Sequence, residues 1–210
     1  METMNTRRRL IPMIAGLGTL TGLLATGCGA VRGGYESAPY QVVRADGSVE
    51  VRDYPALTVV ETPMAARQGG GSDGSFNRLF RFITGGNAAK QKIAMTTPVF
   101  MSGHETNATM AFVMPAAMKT GDVPKPSDGA VTVRELEPGR FAVLRYSGGR
   151  NAKNESESLD RLRAWMQKEG LKELSPPVYG YFDPPWTPAF LRRNEVMVRT
   201  ESVSNPRSSA

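Results

Sequence analysis

KIAMTTPV, Lys92–Val99, is a short apolar and threonine-rich run closed by a proline, and Gly85-Gly86-Asn87 stands just before it as a helix stop. Thr and Val suit a pleated, half-buried surface. Pro98 has no donor to give to a ladder, so a strand over Ile93–Val99 must lie at an edge or stop there. A helix is therefore expected to deliver the chain into a strand. A second block, PPVYGYFDPPWTPAFLRRNEVMV at Pro176–Val198, occupies the same place after a second helical stretch.

Working outward, the first of those helices is expected over Ser75–Thr84, where Phe76, Leu79, Phe80 and Ile83 recur at i, i+3, i+4 and i+7. The second is expected over Glu155–Glu169, with Asn154 as N-cap and Glu157 completing a capping box. Its apolar face is Leu159, Leu162 and Met166, with Trp165 beside it. Tyr40–Arg44 and Val49–Asp53 flank an Asp46-Gly47 turn and read as a hairpin. Ala56–Glu61 and Thr109–Met114 read as further strands. Ala130–Leu136 and Phe141–Tyr146 read as a second hairpin about Glu137-Pro138-Gly139-Arg140. Pro177–Phe182 and Glu195–Arg199 supply the last strands. Gly69–Gly74, GGGSDG, lacks the lysine a phosphate cradle needs and reads as linker.

Both halves thus run hairpin, helix, proline-flanked strand, final strand. The fold class this implies is α+β: a distorted antiparallel β-barrel from two pseudo-two-fold related halves, each with one flanking helix, and a ligand cleft where the halves meet.

With 40% apolar and 22% charged residues the composition is that of a folded domain, and the net charge of +6 is spread along the chain, which argues against nucleic-acid binding. Cys28 and His104 are the only residues of their kinds, so an intrachain disulfide, a multi-Cys metal site and a multi-His site are all excluded, which argues against a zinc enzyme built on His and Cys ligands. Arg7–Arg9 followed by the apolar Leu10–Ala25 reads as a secretory leader, and LLATGC at Leu23–Cys28 resembles the bacterial lipoprotein signal. That resemblance implies acylation of Cys28 and an exported, membrane-anchored chain facing the periplasm or cell exterior. The expected organisation is leader 1–27, lipidated tether 28–37, domain 38–200 and a polar tail 201–210.

Five motifs in order, VEVRDYPALTVVET (Val49–Thr62), FNRLFRFITGGN (Phe76–Asn87), KIAMTTPV, MAFVMP (Met110–Pro115) and FDPPWTPAFLRRNEV (Phe182–Val196), together resemble the SOUL haem-binding protein family. The resemblance spans about Tyr35–Arg199 and implies the same two-helix barrel. It also implies a non-covalent haem or related tetrapyrrole as ligand, bound by a monomer without turnover. An apolar slot for that disc is expected from Phe76, Leu79, Phe80 and Ile83 of the first helix with Tyr181, Phe182, Trp186 and Phe190.

Arg78 and Arg81 are candidate propionate partners, as are Lys90 and Lys92. Arg192, Arg193, Asn194 and Glu195 are expected to form a polar network near the cleft or to pair structurally. His104 is a candidate axial ligand outside the matching motifs, and Met95 and Met101 are others. Two further readings stand beside this one: a binding module for another apolar small molecule or lipid, and a hydrolase centred on Glu195 with Tyr179 or Tyr181. A purely structural envelope protein is the fourth.

Overall fold

The computed structural model describes residues 34–64, 73–103 and 107–201. The leader, Cys28, His104 and the tail from 202 lie outside the described residues. The described residues open with β1 (Glu36–Ser37), two residues that the sequence pattern assigns to the tether. The Asp-Gly signal then gives the expected hairpin of β2 (Gln41–Asp46) and β3 (Val49–Tyr54), with Gly47 at φ 58° in the turn, a conformation that costs glycine no steric strain. β4 (Leu57–Pro63) leads by way of 65–72 to α1 (Ser75–Ile83).

KIAMTTPV does not form one strand. β5 (Thr96–Thr97) pairs in parallel with β1, and β6 (Val99–Ser102) starts beyond Pro98 in a different sheet. The proline therefore divides two strands instead of ending one. β7 (Thr109–Val113), β8 (Thr132–Leu136), β9 (Gly139–Tyr146), α2 (Ala152–Lys168), β10 (Val178–Tyr181) and β11 (Asn194–Thr200) complete the chain. The second helix begins a turn before the expected start. Asn151 is its N-cap, and its side chain accepts from the Asn154 N–H at 2.9 Å.

The main sheet has nine antiparallel strands in the order β2-β3-β9-β11-β10-β6-β7-β4-β8. Outward from the β10–β6 junction the order is β11, β9, β3 on one side and β7, β4, β8 on the other. Each half contributes the equivalent strands, so the two-half reading holds in the topology. The expected hairpin between β8 and β9 does not form: β8 pairs with β4 and β9 with β3 and β11. Pro138, one of the two connecting residues, has no N–H with which to close a tight turn. The Arg199 guanidinium instead donates to the Glu137 and Pro138 carbonyls at 2.9 and 3.0 Å. Each half therefore lends one strand to the other.

Both helices pack on one face of this curled sheet, α1 over β4 and β7, α2 over β9 and β11. Leu159, Leu162 and Met166 are buried as expected, against Ala142, Leu144, Val196 and Val198. Under α1 the inward residues are Leu79, Phe82 and Ile83, packed with Val60, Met110 and Phe112. The predicted face is thus rotated: Phe82 goes in, and Phe76 and Phe80 stay at 41% and 47% exposed. The other face of the sheet buries Tyr54, Leu57, Val59, Phe100, Val143 and Met197.

Candidate functional site

Two regions compete as binding sites, the junction of the halves on the helix-free face and the strip between the helices. The first is filled by the protein's own side chains. Glu195 on β11 is fully buried, and both its oxygens are taken. Arg52 of β3, 2% exposed, meets Oε2 at 2.8 Å and Oε1 at 3.0 Å, and Arg193 donates twice to Oε1 at 2.6 and 2.9 Å. Tyr40 stacks its ring on the Arg52 guanidinium, Tyr54 accepts from it, and Phe182 lies against Arg193. At Gly180 a methyl group would come within 3.3 Å of the Pro98 ring, so a side chain on β10 there would press against Pro98. Burial alone pushes the Glu195 carboxyl up, but the hydrogen bonds and charges of Arg52 and Arg193 outweigh it and hold it below the usual carboxylate range. Such a group carries no proton at neutral pH, and with no exposed surface it presents neither oxygen to a substrate. Glu195 and Arg193 of the expected polar network are therefore structural, and Asn194 joins them by bonding the Gly148 carbonyl at 3.0 Å.

The strip between the helices is different. β6 and β10 lie there, and cross-strand pairing sets Phe112, Val99 and Tyr181 in one row and Met110, Met101 and Tyr179 in the next. Phe76 packs edge-on to Phe112 of β7 at 5.3 Å and stacks with Phe80 at 5.9 Å, 13° from parallel. Arg78, on the opposite flank of α1, reaches Thr62 of β4 at 3.0 Å and the Pro63 carbonyl at 2.6 Å. Since β7 stands inward of β4 in the strand order, the two rings lean toward the central strands. The strand spacing of ~4.8 Å puts Tyr181 roughly 10 Å across from Phe112. Opposite them, Tyr181 donates to Glu155 of α2 at 2.6 Å, and Arg150 lies over its ring. Burial, then Tyr146 and Glu155, pushes the Tyr181 phenol up, so it stays protonated and its oxygen is engaged.

Of the residues the sequence singled out, the structure brings Phe76, Phe80, Tyr181 and Met101 to this strip. Leu79, Ile83 and Phe182 are core residues that offer a ligand almost no surface. Arg78 is bound to β4 and is not poised for a propionate. Arg81 borders a separate recess of about 460 Å³ with Arg78, Gly86 and Asp128. Trp186 and Phe190, 80% and 76% exposed, stand out on the β10–β11 connection. Lys92, whose backbone bridges to Thr84 one turn along the chain from Phe80, is exposed, and Lys90 lies nearby in sequence. Sequence reasoning missed Arg52 and Phe82. Arg52 sits in the alternating VEVRDY strand, where burial of a cation shows only once Glu195 is seen across β9.

The chain matches the family of SOUL heme-binding proteins over residues 35–199. It belongs to that family. A search of curated proteins finds no match. Among solved structures, the EcmrR C-terminal domain superposes with a TM-score of 0.55 at 13% identity, covering 78% of this chain and 99% of that one. A hydrolase from Listeria innocua gives 0.54 at 9% identity, covering 76% and 94%. At these identities the likeness is one of fold. The family is one of heme-binding proteins, and the residues here fit such a ligand in one specific way. A flat apolar disc would gain most from ring contact, which the half-exposed Phe76 and Phe80 could offer, and its carboxylates would need a cation, for which the exposed Lys92 is a candidate. Among the described residues no cluster of His, Cys, Asp or Glu is placed to hold a metal. Met95 and Met101 are partly packed into the core beneath α1.

Proposed function

We propose that this chain is a membrane-anchored, extracytoplasmic binding protein that sequesters or hands over haem or a related tetrapyrrole without turnover. Family membership supports the ligand class. The observation that carries the site is the stacked, half-exposed pair Phe76 and Phe80, which lean over the central strands where Met101 and Tyr181 make the floor. Two such rings on a helix surface leave apolar area in water that a planar ligand would cover. Lys92 takes a propionate, and haem is cargo here, held mainly by ring contact. Cys28 carries the anchor, as the leader pattern implies.

Hemin titration of the full chain in detergent tests this. A Soret shift at micromolar ligand is expected, with affinity weakened about five- to 150-fold by Phe76→Ala with Phe80→Ala, since two lost ring contacts cost about 1–3 kcal/mol. An unchanged hemin spectrum with unquenched tryptophan emission would overturn it.

A second reading, another apolar small molecule on the same rings, is favoured because the contact that Phe76 and Phe80 offer is apolar and independent of iron. Mass spectrometry of lipophilic molecules that survive native purification separates the two. The hydrolase reading has little support, because Glu195 is fully buried and held by two arginines.

A further inference from the structure

The connection from β10 to β11, DPPWTPAFLRRN, Asp183–Asn194, is turned inside out relative to an ordinary surface loop. Its cation points inward: Arg192 donates to the Thr187 carbonyl at 2.7 Å and to the Pro185 carbonyl. Its apolar side chains point outward, with Trp186, Phe190 and Leu191 all more than half exposed. The backbone beneath them is held in place. Thr187 N–H bonds Pro184 at 3.0 Å, Leu191 N–H bonds Pro188 at 2.9 Å, and Gly148 N–H bonds Ala189 at 3.0 Å. The base is closed by Phe182 N–H to the Arg193 carbonyl and by Arg193 N–H to Asp183. These aromatics are thus presented to solvent by a braced loop.

The start of the domain lies at the foot of the same loop. β1 pairs with Thr96 and Thr97, Pro98 follows, and Val99 pairs with Tyr181, the last residue of β10. The Tyr40 hydroxyl accepts from Arg193 at the loop base. Cys28 lies eight residues before Glu36. Eight residues span at most about 28 Å, so acyl chains on Cys28 hold this end of the domain close to the bilayer.

We infer that Trp186, Phe190 and Leu191 insert into the lipid surface that carries the Cys28 acyl chains. The loop is then a second membrane contact that fixes how the domain sits on the membrane. A tryptophan at the headgroup level with phenylalanine and leucine beside it is the chemistry an interface favours. Among the described residues no helix is long and apolar enough to cross a membrane, so the contact is one of surface insertion. The inference rests on the anchor proposed above, and the test keeps the two apart.

The full chain carrying Trp165→Phe, so that Trp186 is its only tryptophan, is purified with its lipid and reconstituted into phosphatidylglycerol–phosphatidylethanolamine vesicles containing bromine-labelled acyl chains. Trp165 lies elsewhere, bonded to Asp46 at the β2–β3 turn, and its loss leaves the loop intact. Intact mass reports whether Cys28 is acylated. In the acylated chain, Trp186 emission is expected to shift to the blue and be quenched at least about twofold by the brominated lipid. An acylated chain whose Trp186 keeps water-exposed, unquenched emission overturns the insertion while leaving the anchor standing. So does a Trp186 that becomes shielded only as protein concentration rises without lipid, which assigns the patch to a second copy. If Cys28 is unmodified the anchor fails, and the loop is judged on vesicle partition of the unmodified chain. Partition lowered at least about tenfold by Trp186→Ala with Phe190→Ala supports insertion, and no partition overturns it.

Discussion

Glu195→Gln tests the reading of the polar core. The substitution keeps volume and shape but removes one charge from a group with no exposure. Arg52, itself buried, then keeps its charge against a neutral amide. Removing one partner of a buried ion pair costs about 3–5 kcal/mol, because the other charge is left uncompensated. Glu50 still bonds the Arg52 Nε at 2.6 Å, which favours the lower end, about 3 kcal/mol. For a domain of this size each kcal/mol moves the midpoint by about 2–4 °C, so the melting temperature should fall by roughly 6–12 °C. The assay is thermal and denaturant unfolding at pH 7, followed by circular dichroism. Glu195→Leu with Arg52→Met should recover only part of the loss, since one desolvated pair is exchanged for packing while Arg193 keeps its charge without the carboxylate. Hemin affinity of the folded Glu195→Gln variant should stay within about twofold of wild type, because Glu195 faces away from the helices. A Glu195→Gln variant as stable as wild type would refute the structural role. One that is stable but no longer binds would move the site to the helix-free face.

Other outcomes follow from the same geometry. Glu195, Asp53 and Glu173 are all held below their ordinary carboxylate range, the last two chiefly by hydrogen bonds from Arg140 and Arg163. Groups of this kind contribute stability above their unfolded values, 4.5 for the glutamates and 3.8 for Asp53, that is lost as pH falls through the folded ones. The melting temperature should therefore be flat near neutrality and drop below about pH 4.5, whereas a flat profile to pH 3 would contradict the pairing. Asn151→Ala should cost about 1 kcal/mol in urea unfolding by removing the α2 cap. Leu79→Ala should cost about 2–5 kcal/mol as a cavity mutation, against less than about 1 for Phe80→Ala, the reverse of what an inward Phe80 requires.

Local structure was largely legible because the chain punctuates itself. Asp46-Gly47, the Gly85-Gly86 stop and the Leu159–Leu162–Met166 spacing each carry a local physical cause, and each appears where the pattern put it. The failures have a common origin in choices that only tertiary packing makes. SFNRLFRFI offers two apolar stripes, one through Phe76 and Phe80 and one through Leu79, Phe82 and Ile83, and periodicity cannot rank them. Val60, Met110 and Phe112 choose the second by packing beneath it. Likewise AVTVREL and FAVLRY around Glu137-Pro138 match a hairpin locally, and it is Arg199, some sixty residues later, that holds the connection open.

The same exchange of strands explains why the candidate site is where it is. Because β3 pairs with β9 and β8 with β4, the halves are joined by ladder hydrogen bonds as well as by the β10–β6 junction. The helix-free face at that junction is then spanned by Arg52 from one half and Glu195 from the other, and a ligand there would have to break a buried ion pair to enter. Among the described residues the opposite face carries no such buried ion pair. The helices sit over the outer strands of each half and leave β6 and β10 between them, covered only by side chains such as Met101 and Tyr179. The residues whose burial the helical pattern predicted, and which stayed half in water, border that strip. Phe76 and Phe80 are therefore the point where the apolar pattern and the packing of this fold disagree, and a ligand bound as proposed would reconcile them.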